Sequence, residues 1–168
     1  MEKDTAVKFE NFLSRFPIVK PPFTIGEDSH HTFSKKNDPL QQLMINQFIL
    51  PHEGGIQDEY TEYVPCIKIP DTYQFHAVIY WKAGLMDYQY VLITLTDKGE
   101  LIDKRIIAGT FSDGQTLTTS VATMDEDWVI AVASGQANTS SSQYDASSSR
   151  AYKLELIPDG TIVNYTSE

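Results

Sequence analysis

The chain has 168 residues, 41% hydrophobic and 11% aromatic, which suits one domain with a core that needs no covalent staples. Its formal net charge of −10 opposes contact with phosphate backbones, so nucleic acid is excluded as an expected partner. With Cys66 as the only cysteine an internal disulfide is impossible, and no apolar run approaches the roughly 20 residues of a membrane span.

The opening residues carry no apolar signal segment, and the chain is expected to be soluble and cytoplasmic. Phe9, Phe12, Leu13 and Phe16 recur at the spacing of one helical face, which predicts a helix over residues 4–16, capped by Asp4 or Thr5 and stopped by Pro17. Three prolines make residues 17–23 an extended connector, and the polar run over 27–38 reads as a loop. Asp38 and Pro39 then mark the start of a second helix. Leu40, Leu43, Met44 and Phe48 form its apolar stripe, and Pro51 with Gly54 and Gly55 ends it. Residues 66–69 fit a short edge strand between Pro65 and Pro70.

From Tyr73 onward the period changes to two. Phe75, Ala77, Ile79 and Trp81 share one face of a strand, and His76, Val78 and Tyr80 share the other. In the next strand Val91, Ile93 and Leu95 oppose Tyr88, Tyr90 and Leu92. Both faces are apolar at mid-strand, so these two strands are central, covered on one side by helices or a second sheet layer. Hairpin turns are expected at residues 96–99 and 158–160, where Gly99 and Gly160 supply a positive φ. Residues 136–150 are serine-rich and longer than an ordinary hairpin connection, and read as a flexible loop.

The expected fold is therefore α+β and mostly β, a single domain over 1–168. Two N-terminal helices within residues 1–55 pack on a curled antiparallel meander of about six to eight strands over 65–168, as a barrel or a sandwich.

No catalytic fingerprint is present: there is no G-x-S-x-G, no phosphate-binding glycine loop and no paired metal-ligand spacing. His30 and His31 are adjacent in a polar run, and Asp125, Glu126 and Asp127 are consecutive, so neither set converges as metal ligands do. No metal or cofactor is expected. What stands out is an aromatic cluster in the central strands. Tyr80, Trp81, Tyr88 and Tyr90 are the candidate lining of a binding patch or pocket, with His76 beside them as the candidate base.

The run YVLITLTDKGELIDKRIIAG over residues 90–109 resembles a motif of small bacterial β-rich proteins, a strand, an Asp-x-Gly turn and a Leu-Ile-Asp strand. It covers about an eighth of the chain and implies a hairpin, with no activity attached.

Two functions follow as expectations. The first is a non-catalytic binding module, of inhibitor or immunity type, that engages a basic protein partner. The alternative is a small-molecule-binding barrel or a hydrolase built on the tyrosine and tryptophan cluster.

Overall fold

The computed structural model describes residues 7–26, 29–54, 60–85, 87–112, 114–138 and 144–165. The fold is α+β and mostly β, with short helices ahead of an antiparallel sheet, as the sequence predicts. The helices are α1 (Phe9–Leu13), α2 (Ser29–Lys36) and α3 (Gln42–Met44), the last running on into a π-helical turn (Ile45–Ile49) and a 3-10 turn (Leu50–His52).

Nine strands occur among the described residues. They are β1 (Phe23–Ile25), β2 (Glu62–Ile69), β3 (His76–Ala83), β4 (Asp87–Leu95), β5 (Leu101–Ser112), β6 (Thr116–Met124), β7 (Val129–Asn138), β8 (Tyr144–Leu156) and β9 (Ile162–Asn164). Strands β2 to β9 pair in sequence order, and β1 pairs with β6. No described helix is long and apolar enough to cross a membrane.

Alternation along β3 and β4 places two cores on opposite faces of one sheet. Phe75, Ala77, Ile79, Trp81, Tyr90 and Leu92 join the inner core, which β6 to β9 complete. Val78, Tyr80, Val91, Ile93 and Leu95 face the other way, beneath Phe12, Phe16, Met44, Phe48 and Ile49 of the helical segments.

The inner core exists because β5 bends. Its first part pairs with β4 alone, and only residues 109–112 also pair with β6. Gly109 sits at the bend with φ 146°, where a Cβ would fall 2.1 Å from the Tyr88 carbonyl oxygen. Beyond this point β1 takes the vacated place beside β6, pairing Phe23 with Met124 and Ile25 with Ala122.

The sheet curls but does not close by strand pairing. Side chains bridge the gap to β9 instead. Asp103 Oδ2 accepts from Ile162 N at 2.8 Å, Arg105 Nη2 donates to the Ile162 carbonyl at 3.0 Å, and buried Thr94 donates to the Gly160 carbonyl at 2.6 Å. These bonds satisfy backbone groups that an edge strand would otherwise expose.

Several expectations are corrected. The meander β2–β9 has eight strands, within the expected six to eight, and the addition to it is β1, which comes from the N-terminal part and joins the sheet. Residues 29–36 form a helix where a loop was expected. The sequence Ser29 to Lys36 lacks an apolar stripe, but tertiary contacts hold it: Gly26 N donates to Ser29 Oγ, Phe33 packs on the inner core, and Asn37 Nδ2 donates to the Pro65 carbonyl.

The second helix begins at Gln42 rather than at Pro39, since Leu40 N is drawn to the Tyr63 carbonyl of β2 at 2.8 Å. Pro65 lies inside β2, not at its end, and a bulge there absorbs the missing donor. Within the expected serine-rich loop, β7 and β8 pair Gln136 with Asp145 and Ala137 with Tyr144. Residues 139–143, the caps Asp4 and Thr5, and Gly55 lie outside the described residues.

Candidate functional site

In an antiparallel meander alternate turns fall at the same end. Here the β2–β3, β4–β5, β6–β7 and β8–β9 turns share one end of the curled sheet. They present Asp71, Asp97, Glu100, Asp125, Glu126, Asp127 and Asp159, all exposed, and Lys98 is the sole Lys or Arg among them. At physiological pH this end is a concentrated negative field.

Within it lies a groove of about 260 Å³ lined by Asp71, Tyr73, Gln74, Phe75, Trp128 and Pro158. Phe75 is buried and forms its floor, with the Trp128 ring standing nearly perpendicular at 80° and 6.1 Å between centroids. Tyr73 is 90% exposed at the rim, an unusual place for a large aromatic side chain.

Three of these turns share one hydrogen-bond pattern. Thr96, Asp125 and Ile157 each donate N–H to the carbonyl four residues on and accept from the N–H three residues on. That pattern needs a left-handed residue at its fourth place. Gly99 and Gly160 supply it at φ 84° and 94°, and in the β6–β7 turn the same place is taken by Trp128 at φ 64°. Left-handed backbone costs a residue bearing a Cβ about 1 kcal/mol or more. The Asp125 carboxylate supports the turn by accepting from the N–H groups of Asp127 and Val129, each at 2.9 Å. Asp71, at φ 66°, is the other left-handed residue with a side chain among the described residues. Both line the groove.

The expected tyrosine and tryptophan cluster divides between the two faces of the sheet. Trp81, Tyr88 and Tyr90 lie on the inner side, around a cavity of about 80 Å³ that His30, Gly109 and Thr110 complete. His30 stacks on Trp81 at 4.9 Å and 15°, and Trp81 on Tyr88 at 5.6 Å and 22°. The indole N–H of Trp81 is buried with no hydrogen-bond partner among the described residues. A wider cleft of about 240 Å³, lined by Phe111, Ser120 and Tyr152 among others, shares Tyr88, Gly109 and Thr110 with this cavity.

Tyr80 points the opposite way, beneath the helices. His76 is at the other end of β3, where Nε2 lies 3.1 Å from Asp97 and Phe9 packs edge-on against its ring. The structure does not bring Tyr80 or His76 to the Trp81 cavity, because each sits one residue out of phase with it along β3.

Tyr80 belongs instead to a buried ionic knot. The Glu53 carboxylate is 6% exposed; it accepts from Tyr80 Oη at 2.6 Å, Lys82 Nζ at 2.8 Å and Lys104 Nζ at 3.0 Å. Lys104 also donates to the His52 carbonyl at 2.9 Å. Burial pushes the Glu53 carboxyl up, but the bonds from Lys82, Tyr80 and Lys104 outweigh it and hold the group below the ordinary carboxylate range. Burial and then the Lys104 charge bring the His52 imidazole down to about 4. Burial, followed by the Glu53 charge, raises the Tyr80 phenol well above its usual value. The knot pins the end of the 3-10 turn to β3 and β5.

Among the described residues no three His, Cys, Asp or Glu side chains converge as metal ligands. No family model, curated protein or solved structure matches the chain.

The groove residues escaped the reading of the sequence, although one signal was present. Two turns read Asp-Lys-Gly and Pro-Asp-Gly, while the equivalent third reads Glu-Asp-Trp, a bulky residue where glycine belongs.

Proposed function

We propose that this protein is a non-catalytic binding module that engages a basic segment of a partner protein through the acidic turn end. The observation that carries this reading is that the turn end holding an open aromatic groove presents seven exposed carboxylates and one lysine. A field of that sign steers cationic surfaces to the turns and weakens with salt. Tyr73 and Trp128 supply the apolar contact area that interfaces draw from aromatic residues.

The test is affinity capture from the host lysate with the wild-type chain and with a Tyr73→Ser, Glu126→Gln, Asp127→Asn variant. The reading expects one basic protein in stoichiometric amount with the wild type, depleted at higher salt and absent with the variant. Equal recovery by both proteins would contradict it.

A second reading, small-molecule binding, is favoured by the inner cavity, where a stacked Trp81–Tyr88 platform meets a buried unpartnered indole N–H. His76 has no part in it. A metabolite that protects the chain against heat and loses its effect on Trp81→Phe would support this reading; an unaltered effect would refute it.

A further inference from the structure

We propose that the Asp71–Tyr73–Phe75–Trp128 groove reads one long cationic side chain of the basic partner, arginine in preference to lysine. This rests on the acidic turn end as the docking surface and adds the group recognised and the atoms that recognise it.

The groove has the parts such a side chain needs. Phe75 is buried at the floor and props the Trp128 ring nearly upright, so the aromatic surface left to an inserted chain is that of Trp128 and Tyr73. The lining is mostly apolar, which suits a methylene stem, and Asp71 supplies its one carboxylate, the partner for a charged head. A cation over an aromatic face gains about 0.5–2 kcal/mol depending on how dry the site is. Guanidinium is planar, weakly hydrated and able to meet a carboxylate through two donors, so it fits an aromatic wall with an acidic rim better than ammonium does.

Backbone conformation points to the same groove. Trp128 occupies a place that two equivalent turns give to glycine, and Asp71 is also left-handed. Residues held in costly conformations concentrate where a site needs them. As a mere plug for the core end, Trp128 would gain its contact with Phe75 but would leave Tyr73 exposed for no return.

The experiment follows the two indole N–H signals of the isotope-labelled chain by NMR, Trp128 as reporter and Trp81 as internal control. The probes are three blocked pentapeptides, glycine throughout except for a central arginine, lysine or norleucine. The arginine peptide is expected to shift the Trp128 signal saturably at millimolar concentration and to leave Trp81 still. The lysine peptide should bind more weakly, by roughly threefold, and the norleucine peptide should not bind. Asp71→Asn, which keeps a residue tolerant of left-handed backbone, should weaken the arginine peptide by roughly fivefold, and Tyr73→Ser should weaken it too.

No saturable Trp128 shift, equal binding of the norleucine peptide, or an unchanged affinity in Asp71→Asn would overturn the proposal. Equal binding of lysine and arginine would overturn the preference for arginine. If the amides of Asp97, Glu126 and Asp127 move with added peptide in a salt-sensitive way while Trp128 does not, the groove is not the reader, yet the acidic docking surface stands. If neither set moves even with an octa-arginine probe, both fall.

Discussion

Trp128 holds in the β6–β7 turn the place that Gly160 holds in the β8–β9 turn, and both pack against Phe75. One place is filled by the residue the backbone prefers, the other by one that it resists. Replacing Trp128 by glycine separates these demands. Relief of left-handed strain is about 1–2 kcal/mol, and loss of a partly buried ring costs a similar amount. Stability by chemical denaturation should change by no more than about 1 kcal/mol, while capture of the basic partner should fail.

Glu53 is a different case, since stability alone depends on it. Glu53→Ala leaves Lys82 and Lys104 facing each other near a buried phenol, with some access to water. We expect a loss of about 2–3 kcal/mol, and about 1–1.5 kcal/mol for Tyr80→Phe, which removes one charge-assisted bond. Urea denaturation of both variants checks the order, and partner binding should be unaffected in each.

The same knot makes stability fall in acid, in two stages. His52 titrates near 4 when folded and near 6.5 when unfolded, so the unfolded chain takes up a proton first and stability drops as pH falls from about 6.5 to 4. The folded Glu53 carboxyl lies below its unfolded value of 4.5, so its contribution is present above 4.5 and is lost as pH falls through the folded value. Denaturation midpoints at pH 7.5, 5.5 and 4 should decline steadily. His52→Gln should flatten the upper stage and leave the lower one.

Gly109 and Thr94 test the curl of the sheet. Gly109→Ala places a methyl against the Tyr88 carbonyl in a backbone region closed to alanine, and should cost at least about 3 kcal/mol, so that the chain is recovered insoluble or unfolded. Thr94→Val removes the bond to Gly160 at unchanged volume and should cost about 1–2 kcal/mol. Amide exchange should quicken in β9 and in its turn.

The sequence made the central hairpin legible because alternation in β3 and β4 is strict and glycines mark the turns around it. Both faces were assigned correctly from parity alone, which separates Tyr80 from Trp81. The α2 helix was hidden because its support is tertiary: Ser29, Phe33 and Asn37 each act through a distant partner. The groove was hidden for a related reason. Asp71, Tyr73 and Trp128 are ordinary turn residues until the curl of the sheet brings two separated turns together. Glu53 is likewise silent in the sequence, since its cationic partners lie on strands far along the chain.

The most direct test of the account is the affinity of the arginine pentapeptide at 50 and 200 mM salt, between which the Debye length shortens about twofold, for the wild type and for a Glu126→Gln, Asp127→Asn, Asp97→Asn variant. These carboxylates stand on the same turn end without lining the groove. The account predicts weaker binding to the variant at low salt, convergence of the two at high salt, and an intact Trp128 response in both. Equal affinities at both salt concentrations would contradict the claim that the acidic turn end attracts a basic partner.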